Sequence, residues 1–301
     1  MTKFIKKILF FISIGILIGE LITRIFVLTS DIPERYIDQN GIQKYIPNQN
    51  GQWIGGEHSW QINKTGWPGP LPKEYKNLIT IVGDSYIENF MNPDSCHQGV
   101  LLKDKLPEYN FFEASRSGVS LIEAMEITRE LDSLNPIQQL IYLGESDFKQ
   151  SILQIKKHSD ITQLDIKKEK VIKGLIKGSF LKKILYNFKF AYYLFNKISA
   201  KNTHSKAIAI PKKDIPKNDI KLYHKLLDYI KRNYNTTKVI YIIKPKTPKY
   251  ITSLLQQLNY NYLVLDSSND SSWSFDFDAH WTCYGHEKVA QQIADSNIFI
   301  D

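Results

Sequence analysis

Four polar segments with the residue types of acyl-transfer chemistry follow short apolar runs. A serine hydroxyl is a weak nucleophile at neutral pH, so it needs a neighbouring base such as an imidazole to take its proton as it attacks. A carboxylate beside the imidazole orients the ring and stabilises its protonated form. We therefore predict Ser85 as nucleophile, His280 as base and Asp278 as the orienting carboxylate. The four segments are Gly83-Asp84-Ser85, Glu113-Ala-Ser-Arg-Ser-Gly118, Gly144-Glu-Ser-Asp147 and Asp276-Phe-Asp278-Ala-His280.

The same segments supply donors for the negative charge that builds on a carbonyl oxygen during attack. The backbone N–H groups of Ser85 and Gly118 are well sited for such an oxyanion hole, which needs donors in place before the reaction. No G-x-S-x-G surrounds Ser85, so the nucleophile elbow of α/β-hydrolases is absent. Asp276, His280 and His286 could instead be metal ligands, but the sequence offers no further histidine and carboxylate set at helical spacing.

Five short apolar runs must position these segments. Near-continuous apolar strands that alternate with helical stretches are typical of a parallel sheet covered on both faces. The pattern predicts an α/β fold, a three-layer α/β/α sandwich with a five-stranded parallel, flavodoxin-like sheet, and sites in such sheets lie at the carboxyl ends of the strands. The runs are 78–82, 110–114, 139–143, 238–243 and 262–265, and the helical stretches include 121–131, 220–232 and 285–294.

The N-terminus predicts one transmembrane helix. Three lysines precede twelve uncharged residues, 8–19, and residues 7–29 are long enough to cross a bilayer of about 30 Å. Glu20 and Arg24 lie four residues apart, on one helical face, where they can pair. No small-x-small cleavage site follows, which favours an uncleaved signal anchor over a cleaved signal peptide. The lysines predict a cytoplasmic N-terminus and an exported remainder, on the periplasmic or extracellular face.

The charge of the chain is unevenly distributed. The net charge is +8, and a hydrophobic fraction of 43% excludes a disordered chain. Residues 149–217 contain seventeen Lys, no Arg and four acids, which leaves the rest at −5. Apolar residues at helical spacing over 181–198 predict a helix that either packs on the domain or contacts anionic lipid beside the anchor. The missing arginines and the predicted export disfavour a nucleic-acid partner.

The predicted organisation has three parts. Residues 1–30 are the anchor, 31–75 an irregular lead-in rich in Pro, Gly, Asn and Trp, and 76–301 the catalytic domain with a basic helical insertion at about 149–217. The two cysteines, Cys96 and Cys283, allow one disulfide at most and cannot form a four-cysteine zinc site. The sequence does not determine whether they are bridged.

The polar segments, in this order and at this spacing, resemble the four blocks of the SGNH/GDSL hydrolases over roughly residues 60 to 296. The likeness rests on Gly83-Asp84-Ser85, Gly118, Gly144-x-x-Asp147 and Asp278-x-His280. The stretch 63–69 is similar to the lead-in of membrane-anchored members, and Asp278-Ala-His280-Trp281 to members that act in cell-surface polysaccharide acetylation. The resemblance implies a Ser/His/Asp esterase or acetyltransferase acting on an acylated carbohydrate or lipid, with no metal or other cofactor.

One departure from the family pattern leaves an alternative open. The third block usually carries an asparagine whose side chain is an oxyanion donor, and Ser146 stands there. Its hydroxyl is shorter, and losing one such donor costs on the order of 10²- to 10³-fold in rate. A catalytically weak or inactive glycan-binding or assembly protein on the same scaffold is therefore the alternative to an enzyme. A third interpretation, a soluble intracellular lipase-like enzyme, requires the N-terminal apolar segment to be a core helix.

Overall fold

A computed structural model describes residues 2–176, 178–204, 217–296 and 298–299. Four single-turn 3₁₀ helices lie at Ile54–Gly56, Asp94–Cys96, Asp132–Leu134 and Ser271–Trp273. The α-helices are α1 (Thr2–Ile25), α2 (Ser85–Glu88), α3 (Gln98–Lys105), α4 (Leu121–Leu131), α5 (Glu145–Gln150), α6 (Ser179–Asn187), α7 (Lys189–His204), α8 (Lys217–Asn233), α9 (Lys249–Gln257) and α10 (Cys283–Asp295). The strands are β1 (Arg35–Ile37), β2 (Gln43–Tyr45), β3 (Asn50–Gln52), β4 (Ser59–Gln61), β5 (Leu78–Gly83), β6 (Asn110–Ser115), β7 (Gln138–Leu143), β8 (Gln163–Asp165), β9 (Lys170–Ile172), β10 (Val239–Ile243) and β11 (Tyr262–Val264).

The predicted parallel sheet is confirmed. Its order is β6-β5-β7-β10-β11, and every neighbouring pair runs parallel. Each strand coincides with one of the five apolar runs to within one residue at either end. The order reverses between β5 and β7, and the carboxyl ends of strands at such a switch point form the crevice in which open α/β sheets hold their sites.

Both faces of the sheet are buried, which explains why its strands are apolar almost throughout. Alternate side chains point to opposite faces, so Leu78 and Val82 join the core under α4, α8 and α9, whereas Ile79 and Ile81 join the core under α3 and α10. The result is the α/β/α sandwich expected from the sequence. The helix predicted over 121–131 forms as α4, and α8 and α10 contain the other two predicted stretches.

The chain divides into two compact units. The anchor unit contains residues 1–34, 50–59 and 178–214, and the sheet unit contains residues 35–49, 60–177 and 215–301. In the anchor unit, α1 is long and apolar enough to cross a membrane, and no other helix in the described part of the chain meets that test. In the sheet unit, the lead-in contributes the antiparallel pair β1–β2.

The basic insertion is not one structural element. Its first part contains the antiparallel pair β8–β9 in the sheet unit, and its next part forms α6 and α7 in the anchor unit. The periodic apolar stretch 181–198 is split, because the backbone leaves the helical conformation at Phe188 with φ −91° and ψ 87°. Residues 177 and 205–216 of the predicted insertion lie outside the described residues.

Candidate active site

The predicted nucleophile lies where β5 passes into α2. A Cβ atom on Gly83 would come within 2.5 Å of the Ile87 side chain, so a larger residue does not fit at the end of the strand. Asp84 caps the helix by accepting a hydrogen bond from the Tyr86 N–H at 3.1 Å. Ser85 is therefore the first residue of α2, a position whose backbone N–H has no partner within the helix.

The structure brings the three predicted triad residues into one hydrogen-bonded chain. His280 Nε2 lies 2.7 Å from Ser85 Oγ, and His280 Nδ1 is hydrogen-bonded to Asp278 Oδ1. The same carboxylate oxygen accepts the His280 backbone N–H at 2.9 Å. A neutral imidazole that donates its Nδ1–H to Asp278 presents the Nε2 lone pair to the serine hydroxyl. Partial burial alone raises the pKa of Asp278, but the hydrogen bonds from His280 outweigh it and hold that pKa below its usual value.

A closed loop carries the histidine and the aspartate. The Phe275 N–H donates to the His280 carbonyl at 3.2 Å, and the Asp278 N–H donates to the Phe275 carbonyl at 3.2 Å. The Tyr86 ring lies against the imidazole, with ring centroids 4.7 Å apart. Asp278 of the loop therefore holds the Nδ1 side of the imidazole, and α2 supplies Ser85 at Nε2 and the Tyr86 ring that covers its face.

Two long-range links tie this loop to the chain that follows Ser85. The Asn92 side-chain amide donates to the Trp281 carbonyl at 2.9 Å. Cys96 and Cys283 form a disulfide across 187 residues of sequence, with their Cα atoms 5.2 Å apart. The two cysteines, whose pairing the sequence does not determine, are therefore bridged. The bridge joins the start of α10 to the segment that follows α2.

A buried cluster of charged side chains lies behind the serine. Lys244 Nζ is 2.9 Å from Asp84 Oδ2 and 3.5 Å from Asp147 Oδ2, and it sits 4.0 Å from the centre of the Tyr86 ring. Asp147 also accepts the Gly144 N–H at 2.6 Å. Because the three charged residues follow β5, β7 and β10, the cluster joins the carboxyl ends of the three central strands.

Burial and the pairing of charges together set the pKa values of this cluster. Burial raises the pKa of Asp147 to about 7, against the opposing charge of Lys244 and the Gly144 N–H bond. Burial alone lowers the pKa of Lys244, but the two carboxylates outweigh it and hold the ammonium pKa above its usual value. With Asp147 protonated, the Lys244–Asp84 ion pair leaves the cluster without net charge.

Lys244 was not predicted as a site residue. In the sequence it only marks, with Pro245, the end of an apolar run. One signal could have identified it: a lysine at the carboxyl end of a buried strand must find an anion when it is buried. Two of the four polar segments place such carboxylates, Asp84 and Asp147, at the same edge of the sheet.

The predicted oxyanion loop is held by a second buried network. Gly118 has φ +81°, the left-handed region that favours glycine. The preceding Ser117 donates to Glu88 through both its backbone N–H, at 2.7 Å, and its hydroxyl. Tyr45 of β2 donates its hydroxyl to the same Glu88 carboxylate. The Gly118 N–H has no hydrogen-bond partner among the described residues, so it is available to a ligand.

Arg116 reinforces this loop from within the core. Its guanidinium pairs with Glu123 at 2.6 Å, and both side chains are 1% exposed. It also donates to the Gln43 carbonyl of β2 at 3.2 Å and to the Ser117 carbonyl at 2.6 Å. The sequence predicts only irregular structure for the lead-in, yet its strand β2 supports the loop that carries Gly118.

Ser146, the third predicted oxyanion donor, lies in the first turn of α5. Its side chain is exposed, and its hydroxyl lies 3.5 Å from Asp147 Oδ1. Among the described residues, no hydrogen bond joins Ser146 or Gly118 to Ser85, His280 or Asp278. The structure therefore brings Ser85, His280 and Asp278 together directly. It leaves the two further donors at the same edge of the sheet, Ser146 in the first turn of α5 and Gly118 in the loop after β6.

His286 is not placed as a metal ligand would be. It is buried in α10, where its Nδ1 lies 3.0 Å from the Gln98 side-chain amide. Burial lowers its pKa to about 3, with smaller contributions from the charges of His97 and His280, so the ring is neutral. Within the described ranges, no three His, Cys, Asp or Glu side chains are grouped closely enough to hold a metal ion.

A cavity of about 580 Å³ adjoins the triad on the side of the aspartate. It is lined by Asp278 of the triad and by Tyr86. Phe277, also in its wall, is 80% exposed. Lys244 and Trp273 also line it. Its wall therefore combines aromatic faces with charged groups, a composition suited to a ligand with both apolar and polar surfaces.

Comparison with known proteins finds similarity only among solved structures. No protein-family model matches the chain, and no curated protein matches it. The crystal structure of TesA is 10% identical over 73% of this chain and 98% of that chain, with a TM-score of 0.40. A member of the lipolytic protein G-D-S-L family from Veillonella parvula DSM 2008 is 14% identical over 74% and 97%, with a TM-score of 0.36. At such identities, residue roles do not transfer to this chain.

Proposed function

We propose that the chain is a serine esterase or acyltransferase of SGNH/GDSL type, with Ser85, His280 and Asp278 as its catalytic triad. The observation that carries the proposal is the continuous hydrogen-bonded chain from Ser85 Oγ through both imidazole nitrogens to Asp278. Nucleophile, base and orienting acid in this arrangement are the parts of a covalent acyl-transfer mechanism.

In the proposed reaction Ser85 Oγ attacks the carbonyl carbon of an ester while its proton passes to His280 Nε2. The imidazolium is stabilised by Asp278, and the oxyanion by the N–H groups of Ser85 and Gly118 with the Ser146 hydroxyl. Collapse of the tetrahedral intermediate breaks the ester C–O bond, and the leaving alcohol takes the proton from His280. A water or sugar hydroxyl then gives its proton to His280 as it attacks the acyl carbon. The second tetrahedral intermediate collapses by breaking the bond to Ser85 Oγ, which takes the proton back from His280.

The proposed substrate is a small acyl ester, such as an acetyl ester, of a carbohydrate or lipid. The mixed aromatic and charged lining of the adjoining cavity supports a substrate that combines sugar-like polar groups with apolar surface. Hydrolysis and transfer share the same acyl-enzyme and differ only in the acceptor that reaches it.

The proposed location is the cell envelope, with α1 as a single-pass anchor, a cytoplasmic N-terminus and the sheet unit exported. The length and composition of α1 support the anchor. The disulfide supports export, because such bonds persist in oxidising compartments and are rare in the cytosol. Resistance of the full chain to carbonate extraction is the expected result, and release into the soluble fraction would overturn the anchor.

Labelling of the folded protein with a fluorophosphonate probe tests the chemistry. We expect labelling of the wild type and its loss in both Ser85→Ala and His280→Ala, since the probe needs an activated serine. Ser133→Ala and His224→Ala are matched controls, because Ser133 is exposed, His224 is half-buried and both lie outside the triad. Absence of labelling in a folded wild type would contradict the proposal and favour the alternative, a glycan-binding or assembly protein on the same scaffold.

A further inference from the structure

An exposed apolar stripe runs along α7 in the anchor unit. Ala191, Leu194, Phe195 and Ile198 recur at the i, i+3, i+4 and i+7 spacing of one helical face, and all four are exposed. Phe195 is 53% exposed and Ile198 64% exposed. An amphipathic helix normally turns such a stripe to a protein core, so an exposed one needs another apolar environment.

The N-terminus of α7 is attached to α1 through Glu20. The two carboxylate oxygens accept the backbone N–H groups of Lys189 at 3.2 Å and Phe190 at 2.8 Å, which are free donors at the start of α7. The Phe190 ring lies so close to Gly19 that a Cβ atom on the glycine would be 2.9 Å from it. Arg24 completes the contact by donating to Glu20 at 2.8 Å and to the Asn187 carbonyl at 2.7 Å.

This attachment removes a difficulty with α1 as an anchor. Residues 8–19, the uncharged part, extend only about 18 Å at the helical rise of 1.5 Å per residue, less than the roughly 30 Å of a bilayer core. The span must therefore continue past Glu20, where a carboxylate without partners is costly. The backbone donors of α7 supply those partners, so the position of α7 is linked to the bilayer depth of Glu20.

The lysines of this region are partly engaged within the anchor unit. Lys183 pairs with Glu34 at 3.1 Å, and Lys189 pairs with Asp31. Lys182 and Lys197 are exposed and form no ion pair with any described residue. Residues 178–204, which contain α6 and α7, have five lysines and no acidic residue, so this side of the anchor carries positive charge.

We infer that α6 and α7 lie in the interface of an anionic bilayer beside the C-terminal end of α1, with the α7 stripe turned to the acyl chains. The exposed stripe, the attachment at Glu20 and the positive charge together describe an interfacial amphipathic helix held by an anchor. The inference rests on the proposed anchor and does not depend on the proposed esterase activity.

A single fluorescent label on the full chain in anionic vesicles tests the inference. The two native cysteines are bridged, so Phe195→Cys provides one reactive thiol for an environment-sensitive dye such as NBD. Asn196→Cys is the matched control, because this exposed neighbour lies on the opposite side of the helix from the stripe. With iodide on both sides of the membrane, we expect the label at 195 to emit at shorter wavelength and resist iodide, and to be quenched by doxyl lipids. The label at 196 should remain accessible to iodide.

Other outcomes overturn the inference. Equal iodide access at both positions places α7 in water, and shielding at 195 without quenching by doxyl lipids means that protein, such as a second copy of the chain, covers the stripe. Glu20→Leu adds a second test, since it should keep the chain resistant to carbonate extraction while lipid quenching at 195 falls. Unchanged quenching would contradict the role of Glu20. Fluorophosphonate labelling of the same vesicles reports on the esterase proposal separately.

Discussion

The site contains two sets of charged residues that meet at one edge of the sheet and differ in burial. The His280–Asp278 pair is half-exposed, with side chains 28% and 38% accessible. The Lys244, Asp84 and Asp147 side chains are no more than 10% accessible. A half-exposed imidazole can gain and lose a proton within a catalytic cycle, whereas a buried ion cluster keeps its charges where they are because any change is costly.

The two sets of residues therefore have different roles, one in the proposed reaction and the other in the stability of the site. The triad pair contacts the serine hydroxyl and carries the proposed proton transfer. The buried cluster reaches the serine only through Asp84, which caps the helix that Ser85 begins. Changes in the first set should therefore act on rate, and changes in the second on the free energy of unfolding.

Asp278→Asn is expected to have the largest effect. An amide cannot hold the imidazole in the same tautomer or stabilise its protonated form, and the equivalent change in a serine protease triad lowers kcat about 10⁴-fold. We expect a loss of that order in the hydrolysis of a small soluble ester, with little change in the urea midpoint. Asp276→Asn, an exposed acid two residues away, is the control and should retain activity. Equal losses in both variants would show that loop structure, rather than the triad carboxylate, is responsible.

Lys244→Met should show the opposite pattern. Removing one partner from a buried ion cluster leaves uncompensated charge, which typically costs about 3–5 kcal/mol. Urea unfolding measures this directly. Lys238→Met is matched to it, because Lys238 is exposed and lies next to the other end of β10. Among the described residues, its ammonium group bonds only the Pro136 carbonyl. A loss of activity at unchanged unfolding free energy would mean that Lys244 acts in the reaction and that the two sets are not distinct.

Ser146→Asn tests the departure from the family pattern. If the longer amide reaches the oxyanion that the serine hydroxyl reaches poorly, ester turnover should rise by up to about 10²-fold, the lower range for one oxyanion donor. Ser146→Ala should lower turnover slightly or leave it unchanged. The comparison uses kcat with a small soluble ester, and no gain in the asparagine variant would remove Ser146 from the proposed oxyanion hole.

The sheet and the triad could be predicted because each depends on local patterns. A strand buried on both faces must be apolar along its length, so five runs defined the sheet. Asp278 and His280 are two residues apart, and Ser85 follows directly from a strand, so the sheet edge brings them together. No comparable rule paired Lys244 with Asp84, because neither a lysine nor an aspartate at a strand end has a spacing that marks a buried ion pair.

The support for Gly118 was missed for a related reason. Tyr45, Glu88 and Ser117 come from β2, α2 and the loop after β6, and none of them has a spacing that marks a network. The break at Phe188 was missed because apolar periodicity continues across it. Periodicity reports which face is apolar, and it does not report whether the backbone stays helical.

The smallest predicted effect concerns the protonation of Asp147. Burial raises its folded pKa to about 7, whereas the unfolded value is near 3.9. The unfolded chain therefore releases this proton at a lower pH than the folded chain, and the stability contributed by the group falls as pH rises from about 4 to 7. Between pH 5 and 6 the expected loss is about 1 kcal/mol.

Asp147→Asn isolates that contribution, because an amide keeps an acceptor for the Gly144 N–H and does not titrate. The unfolding free energy of this variant should gain about 1 kcal/mol relative to wild type between pH 5 and 6. Asp276→Asn should follow the wild type over the same range. Parallel curves for Asp147→Asn and wild type would mean that Asp147 is charged in the folded protein. The buried cluster would then carry a net negative charge behind the nucleophile. It would still differ from the triad in burial, but it would no longer be electrically neutral.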